Sequence, residues 1–337
     1  MKAVGLTRYL PIDHPDALID LELPKPLPAG HDILVRVEAV SVNPVDTKVR
    51  APKDKVEDEP RVLGWDAAGV VDAVGPDVTL FAPGDAVYYA GDITRQGSNS
   101  EYQLVDERLV AKKPASLDFA AAAALPLTAI TAFESLFERL NIDKLGADAG
   151  HKLLIIGGAG GVGSLAIQFA RLAGLTVIAT AGRKESADWC RALGADHVIG
   201  RDKPLTEALA ELGLKHVDYI FNAADTDAYW AESVAALKPQ GKIVAIVDNR
   251  GPLAMGEMKA KSASLHWEMM FTRAMFRTDD MIHQHQLLAE VAAWVDAGKV
   301  RGTLAETVSP INAANLRAAH AKLESGTMVG KLVLAGW

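Results

Sequence analysis

Residues 152–171 run from a strand through a glycine turn into a helix without interruption. The apolar run Leu153-Leu154-Ile155-Ile156 is short and ends on glycine, the pattern of a buried parallel strand. Gly158, Gly160 and Gly163 then give G-x-G-x-x-G, and Val162, Leu165, Ala166, Phe169 and Ala173 recur at helical spacing. In such a turn the first glycine permits the tight bend, the second lets backbone approach a pyrophosphate, and the third lets helix pack on strand. Gly161 and Val162 open the helix, whose free N–H groups and positive dipole end face the phosphates. A strand, this spacing and a helix in that order predict a dinucleotide site.

The residues after the next strand, predicted over 175–180, decide which dinucleotide. A site for NAD places Asp or Glu about 20 residues past the glycines to hold the ribose 2′-hydroxyl. Here Thr180 is followed by Ala181-Gly182-Arg183-Lys184, with no carboxylate before Glu185. Arg183 offers a fork of donors to a 2′-phosphate and Lys184 adds a point charge, so the expected cofactor is NADP(H). The same pair also reads as an ordinary solvated surface pair.

Composition narrows the class. A length of 337 residues suits two domains, and 49% hydrophobic with 23% charged residues is the balance of a globular protein. The net charge of −8 provides no global basic field for nucleic acid or anionic lipid. A single cysteine, Cys190, excludes internal disulfides and any multi-thiolate zinc site, and its amphipathic surroundings predict core packing. The N-terminus lacks an apolar signal region and no stretch of 18 unbroken apolar residues occurs, so a cytoplasmic location without a membrane span is expected.

From residue 152 to 247 strands alternate with helices: strands at 175–180, 197–199, 217–223 and 242–247, helices near 186–193, 205–212 and 229–237. That alternation predicts an α/β fold with a doubly wound parallel sheet. Gly194 and Gly241 are placed at element ends. The first 125 residues instead show short alternating strands at 33–40, 69–74, 86–89 and 101–105, broken by Pro and Gly, as in a β-rich partial barrel. The alanine run 120–124 before Pro126 marks a helix start. The tail predicts a helix at 285–295, a strand at 304–308, a helix at 313–323 and a strand at 330–334.

Several spaced motifs in this order resemble the medium-chain dehydrogenase/reductase superfamily. Asn43-Pro44-Val45-Asp46 looks like its N-P-[VI]-D segment, and Gly64-Trp65-Asp66-Ala67-Ala68-Gly69-Val70-Val71 its G-x-[ED]-x-A-G-x-V block. Phe81-Ala82-Pro83-Gly84-Asp85-Ala86-Val87 is similar to F-x-x-G-D-x-V, and Leu125-Pro126-Leu127-Thr128-Ala129 to the entry into the cofactor domain. The resemblance implies a GroES-like catalytic domain over 1–126 and 276–337 and a Rossmann domain over 127–275. Zinc alcohol dehydrogenases place Cys where this chain has Asn43 and His where it has Trp65, and the four-cysteine zinc lobe is missing as well. The chain therefore resembles the zinc-free quinone oxidoreductase branch related to zeta-crystallin, and bacterial proteins of the zinc-type alcohol dehydrogenase-like group.

Carried over by motif, the resemblance implies that Asn43 faces the nicotinamide and Thr128 lines the same pocket. Gly160, Gly161 and Val162 would cradle the pyrophosphate, and Thr180, Arg183 and Lys184 the adenosine ribose. Arg201 falls where relatives often carry a Tyr over the 2′-phosphate. Lys48 replaces the tyrosine of N-P-[VI]-D-T-Y, a departure from many quinone reductases. Hydride acceptance without a metal favours an easily reduced small-molecule acceptor, a quinone or activated enone. Lys48, Asp66 and Tyr89 are candidate proton donors, and Asp46 is a second carboxylate of the cleft. Asn43-Pro44 also reads as a turn on its own physics. His283 and His285 point to different helix faces, so no metal site is expected. A zinc alcohol dehydrogenase and a non-catalytic nucleotide-binding protein of the zeta-crystallin kind are the alternatives. The family habit of pairing nucleotide-domain edges implies a homodimer through residues 264–271.

Overall fold

The computed structural model describes every residue from Met1 to Trp337. It divides into two compact units, one of Met1–Ile130 with Phe271–Trp337 and one of Thr131–Met270.

The first unit begins with eight strands: β1 (Lys2–Tyr9), β2 (Ile19–Glu22), β3 (Asp32–Ser41), β4 (Lys53–Val62), β5 (Ala67–Val74), β6 (Ala86–Tyr89), β7 (Tyr102–Asp106) and β8 (Val110–Lys112). β1 joins β2 and β4 in an antiparallel three-stranded sheet. β4 reads KDKVEDEPRV and is mostly exposed, so its sequence has no apolar alternation to announce it. Helix α1 (Pro44–Arg50) follows β3, and α2 (Phe119–Ala123) and α3 (Pro126–Phe133) follow β8. A π-helical turn, Glu134–Arg139, extends α3. The helical stretch Phe119–Arg139 is apolar enough to span a bilayer by length and composition, but 83% of its most apolar 18-residue window is buried inside the protein, as in a core helix.

The second unit is a parallel sheet of β9 (Lys152–Ile156), β10 (Thr176–Thr180), β11 (His197–Ile199), β12 (Val217–Asn222), β13 (Leu237–Ala245) and β14 (Ser264–Trp267). Its order β11-β10-β9-β12-β13-β14 is the doubly wound Rossmann order 3-2-1-4-5-6. Leu154, Ile156, Ile178, Ile220 and Ile243 are buried in its core with Leu209 and Val234 of the covering helices. Helix α4 (Gly161–Leu172) leaves the glycine turn, and α5 (Lys184–Leu193) follows β10. Gly194 ends α5 in the left-handed region at φ 105°, as expected. Gly241 corrects the reading, because it lies within β13 rather than at its end. There Gln240 takes φ 62° and the β12 register shifts.

The chain then returns to the first unit. β15 (Leu304–Val308) and β16 (Lys331–Ala335) complete a seven-stranded sheet of order β15-β16-β3-β5-β6-β8, with β7 also pairing β3. β16 runs antiparallel to β3 with Val333 opposite Ser41. Two residues earlier along β16, that register carries Lys331 past the end of β3, level with Asn43.

Candidate active site

In the nucleotide-binding unit the glycine turn sits at the carboxyl end of β9, next to the point where strand order reverses. The left-handed residue of the turn is Gly157, at φ 92°, and not Gly158, which corrects the role read for the first glycine. A Cβ on Gly158 would lie 2.8 Å from the Ala179 methyl and 3.0 Å from Cys190 Sγ, so Gly158 is needed for close packing. Cys190 is fully buried, and burial pushes its thiol up to about 11. A Cβ on Gly163 would sit 2.3 Å from the Gly157 carbonyl oxygen. Gly160 differs: its φ of −71° suits any residue, a Cβ would meet nothing closer than 3.6 Å, and it is exposed. The protein leaves open the one face of the turn where a pyrophosphate would lie, and Gly161 and Val162 beside it are partly exposed.

Thr180 is buried and its hydroxyl accepts the Gly157 N–H at 3.0 Å, while its carbonyl accepts the Gly158 N–H at 3.2 Å. It therefore pins the turn to β10. Arg183, Lys184 and Arg201 are exposed at the same end of the sheet. The Arg201 guanidinium packs over Gly182, within 2.8 Å of where a Cβ would be, which places it beside the Arg183 backbone. Arg183 reaches Ser186 Oγ at 3.5 Å, and Lys184 pairs with Asp188 at 2.5 Å on the solvent side of α5.

The other unit holds a second polar assembly. Gly64, at φ 105°, turns the chain into Trp65 and Asp66. Asp66 is fully buried: one carboxylate oxygen accepts the Leu127 N–H at 2.7 Å, in the first turn of α3, where an anion is favoured. The other oxygen accepts Asn43 Nδ2 at 2.9 Å and Lys331 Nζ at 3.0 Å. Lys331 also donates to the Asn43 Oδ1 at 2.5 Å and the Val42 carbonyl at 3.0 Å, so all three ammonium hydrogens are used. Because lysine only donates and a carboxylate only accepts, the Asn43 amide has one permitted orientation. Its second N–H goes to the Ser41 carbonyl at 3.3 Å.

Asn43 also caps α1, and its backbone N–H is accepted by the buried Asp46 carboxylate at 2.5 Å. Burial raises Asp46 to about 7, offset in part by the Asn43 N–H and by Lys331. Burial likewise pushes Asp66 up, while Lys331, the Asn43 amide and the Leu127 N–H pull it back. Three donors and no acceptor meet the Asp66 carboxyl, the surroundings of an ionised group. Removing one partner of such a buried pair typically costs about 3–5 kcal/mol.

Lys48 is exposed on α1. Tyr89 is fully buried, its hydroxyl has no hydrogen-bond partner, and burial pushes it upward. Thr128 is buried with its hydroxyl donated to the Leu125 carbonyl at 2.9 Å. Trp65 is fully buried edge-on to Phe271, with ring centroids 6.1 Å apart. Lys331 escaped the sequence reading. Its one signal was a lysine inside the apolar run Gly330–Leu334, where a buried amine needs acceptors.

The fold and its two polar assemblies define a two-domain nucleotide-dependent oxidoreductase. Residues 193–334 match the model of the family "Zinc-binding dehydrogenase" and residues 29–115 that of the "Alcohol dehydrogenase GroES-like domain". The chain belongs to the medium-chain dehydrogenase/reductase superfamily. It is 43% identical over 335 residues to a zinc-type alcohol dehydrogenase-like protein of Staphylococcus aureus, covering 99% of each chain. It is 31% identical to the 2-methylene-furan-3-one reductase of Solanum lycopersicum, over 99% of this chain and 79% of that one. A Rhizobium etli structure assigned to the zinc-dependent alcohol dehydrogenases superposes with TM-score 0.96 at 53% identity, covering 100% of this chain and 98% of that one. A quinone oxidoreductase from Pseudomonas syringae superposes with TM-score 0.83 at 25% identity over 99% of both chains.

Proposed function

We propose that the protein is a cytoplasmic, zinc-free, NADPH-dependent reductase of quinones or activated enones. The carrying observation is the Asn43–Asp66–Lys331 network. Catalytic zinc takes about three thiolate, imidazole or carboxylate ligands. Asn43 and Trp65 provide neither thiolate nor imidazole, and the Asp66 carboxylate is engaged by Lys331, Asn43 and Leu127. This donor set does not fit the ion. Without a Lewis acid on the acceptor oxygen, a compound that takes hydride readily is the natural substrate. The relatives that reduce a methylene-furanone or a quinone support that class.

The open face at Gly160 fits a pyrophosphate, with the Gly161 and Val162 N–H groups as donors. Arg183, Lys184 and Arg201 would hold the 2′-phosphate. NADPH, when bound, supplies the hydride. Asn43, Asp66 and Lys331 form a buried network whose polar groups are committed to one another, and Lys48 and Tyr89 are the candidates by motif for delivering the proton.

The test is an NADPH-oxidation screen of purified protein against quinones, enones, aldehydes and alcohols, with metal analysis of the same sample. Turnover of quinones or enones, no stoichiometric zinc and no loss with chelator are expected. One zinc per chain whose removal abolishes turnover sinks the reading. A homodimer is part of this proposal: β14 is the outermost strand of its sheet, and Trp267 at its end and Met269 just beyond it are 46% and 49% exposed. Sedimentation of wild type against Trp267→Lys tests it, with a monomeric wild type as the contrary result.

A further inference from the structure

We propose that Lys331 is a positioning residue: its ammonium keeps Asp66 ionised and locks the Asn43 amide in one orientation, and the proposed reduction depends on that lock. The inference deepens the reductase reading and rests on it for its kinetic part.

The geometry is specific to an ammonium. Lys331 is 4% exposed and donates to the Val42 carbonyl, Asn43 Oδ1 and Asp66 Oδ2, using each of its hydrogens once. The Asn43 amide is thereby polarised in one sense, its oxygen toward the cation and its nitrogen toward the Asp66 carboxylate and the Ser41 carbonyl. Without the cation two things change together. Asp66 becomes a buried carboxylate without a counter-charge and takes up a proton. A protonated Asp66 can donate, so the amide loses the partner that fixed its direction. The direction of the buried Asn43 amide dipole is then no longer set by the protein. Asp46 is the other ionisable group tied to Asn43, so the assembly holds two carboxyl groups and one fixed cation.

The experiment compares wild type with Lys331→Met, Lys331→Arg and Lys331→Met/Asp66→Asn. Infrared difference spectra at neutral pH should show added carboxylic-acid C=O absorption in Lys331→Met, and the double variant should keep only the part that comes from Asp46, which Lys331 also holds down. NADPH affinity, read by nucleotide fluorescence, should stay within about threefold, because its contacts are to the glycine turn. The kcat for the best acceptor should fall about tenfold or more, with KM changed far less, as for a contact made in the transition state. Lys331→Arg, which keeps the charge, should recover most of kcat. Wild-type kcat in folded Lys331→Met, or no new band, overturns the proposal. If Lys331→Met does not fold, Lys331→Gln, which also removes the charge, takes its place: a normal melting temperature with the kcat–KM split supports positioning, and unchanged kinetics rejects it. A wild type inactive toward every acceptor sinks the reductase reading and with it the kinetic part. The infrared band then still decides whether Lys331 holds Asp66 ionised.

Discussion

The glycine turn and the Asn43–Asp66–Lys331 network handle charge in opposite ways. The turn spans a few consecutive residues and leaves an exposed face at Gly160, beside the first N–H groups of α4, which have no partner within the helix. The network joins residues up to 288 positions apart and leaves almost no donor or acceptor uncommitted. The first is a receptor waiting for an anion. The second is closed on itself, so it can set the shape and field of a site more readily than it can bind something new. A motif can be local when the ligand completes its hydrogen bonds. A self-satisfied cluster needs the whole fold.

The largest effects are expected within the turn itself. Gly163→Val should abolish folding of the nucleotide-binding unit, since its Cβ would collide with backbone at 2.3 Å. Gly160→Val should fold and lose NADPH binding, because the side chain enters the open face and nothing on the protein side resists it. Circular dichroism with nucleotide fluorescence separates the two outcomes. NADPH affinity within a few-fold of wild type in folded Gly160→Val refutes the cradle.

The next largest effect concerns the other unit, where two buried titratable groups pull stability in opposite directions with pH. Asp46 is raised to about 7 from 3.8, so its protonated form favours the fold, a contribution present below about pH 4 and lost as pH rises through 7. His320 is lowered to about 3 from 6.5 by burial and by Arg50, and neither ring nitrogen has a partner. Its contribution is present above about pH 6.5 and is lost as pH falls toward 3. Each is of order 4 kcal/mol, and over the shared window they oppose each other. Asp46→Asn should therefore make urea stability rise from about pH 4.5 to 7, and His320→Leu should make it fall. Parallel profiles for the two variants would show that neither group titrates as its burial implies.

The smallest expected effect tests the choice of nucleotide. Replacing Arg183 and Lys184 by Ala should weaken NADPH about tenfold and spare NADH, with wild type preferring NADPH in kcat/KM. Both side chains are exposed, so the preference should shrink with added salt. Equal small losses for both nucleotides would make them a solvated pair, and a wild type that prefers NADH overturns the assignment.

The same contrast explains what the sequence made legible. The turn, its strand and its helix were readable because glycine spacing, an apolar run and helical periodicity fall within about 20 residues. The left-handed position fell one residue earlier than read, at Gly157, because G-G can place the bend on either glycine. Asp46, Asp66 and Asn43 stood out through their motifs, but motif alone could not show that the Asn43 amide is consumed internally. Lys331 stood out only as a lysine in an apolar run, and its partners could not be read, because they are set by the β3–β16 register and not by its neighbours. β4 was hidden for a related reason: its exposed, charged strand is held by pairing with β1 rather than by an apolar face.

The register that brings Lys331 to Asp66 also imposes an order on biosynthesis. Asp66 and Asp46 leave the ribosome 265 and 285 residues before the lysine, with the whole nucleotide-binding unit translated in between. Until then the two carboxyl groups have no cation to enclose them, and the sheet lacks β16. The nucleotide-binding unit is contiguous and can close during synthesis, whereas the unit holding the network is sealed only after Lys331 emerges. A nascent chain stalled before that point exposes an unfinished sheet edge beside two acids, a state that proteases and chaperones can tell from the finished protein.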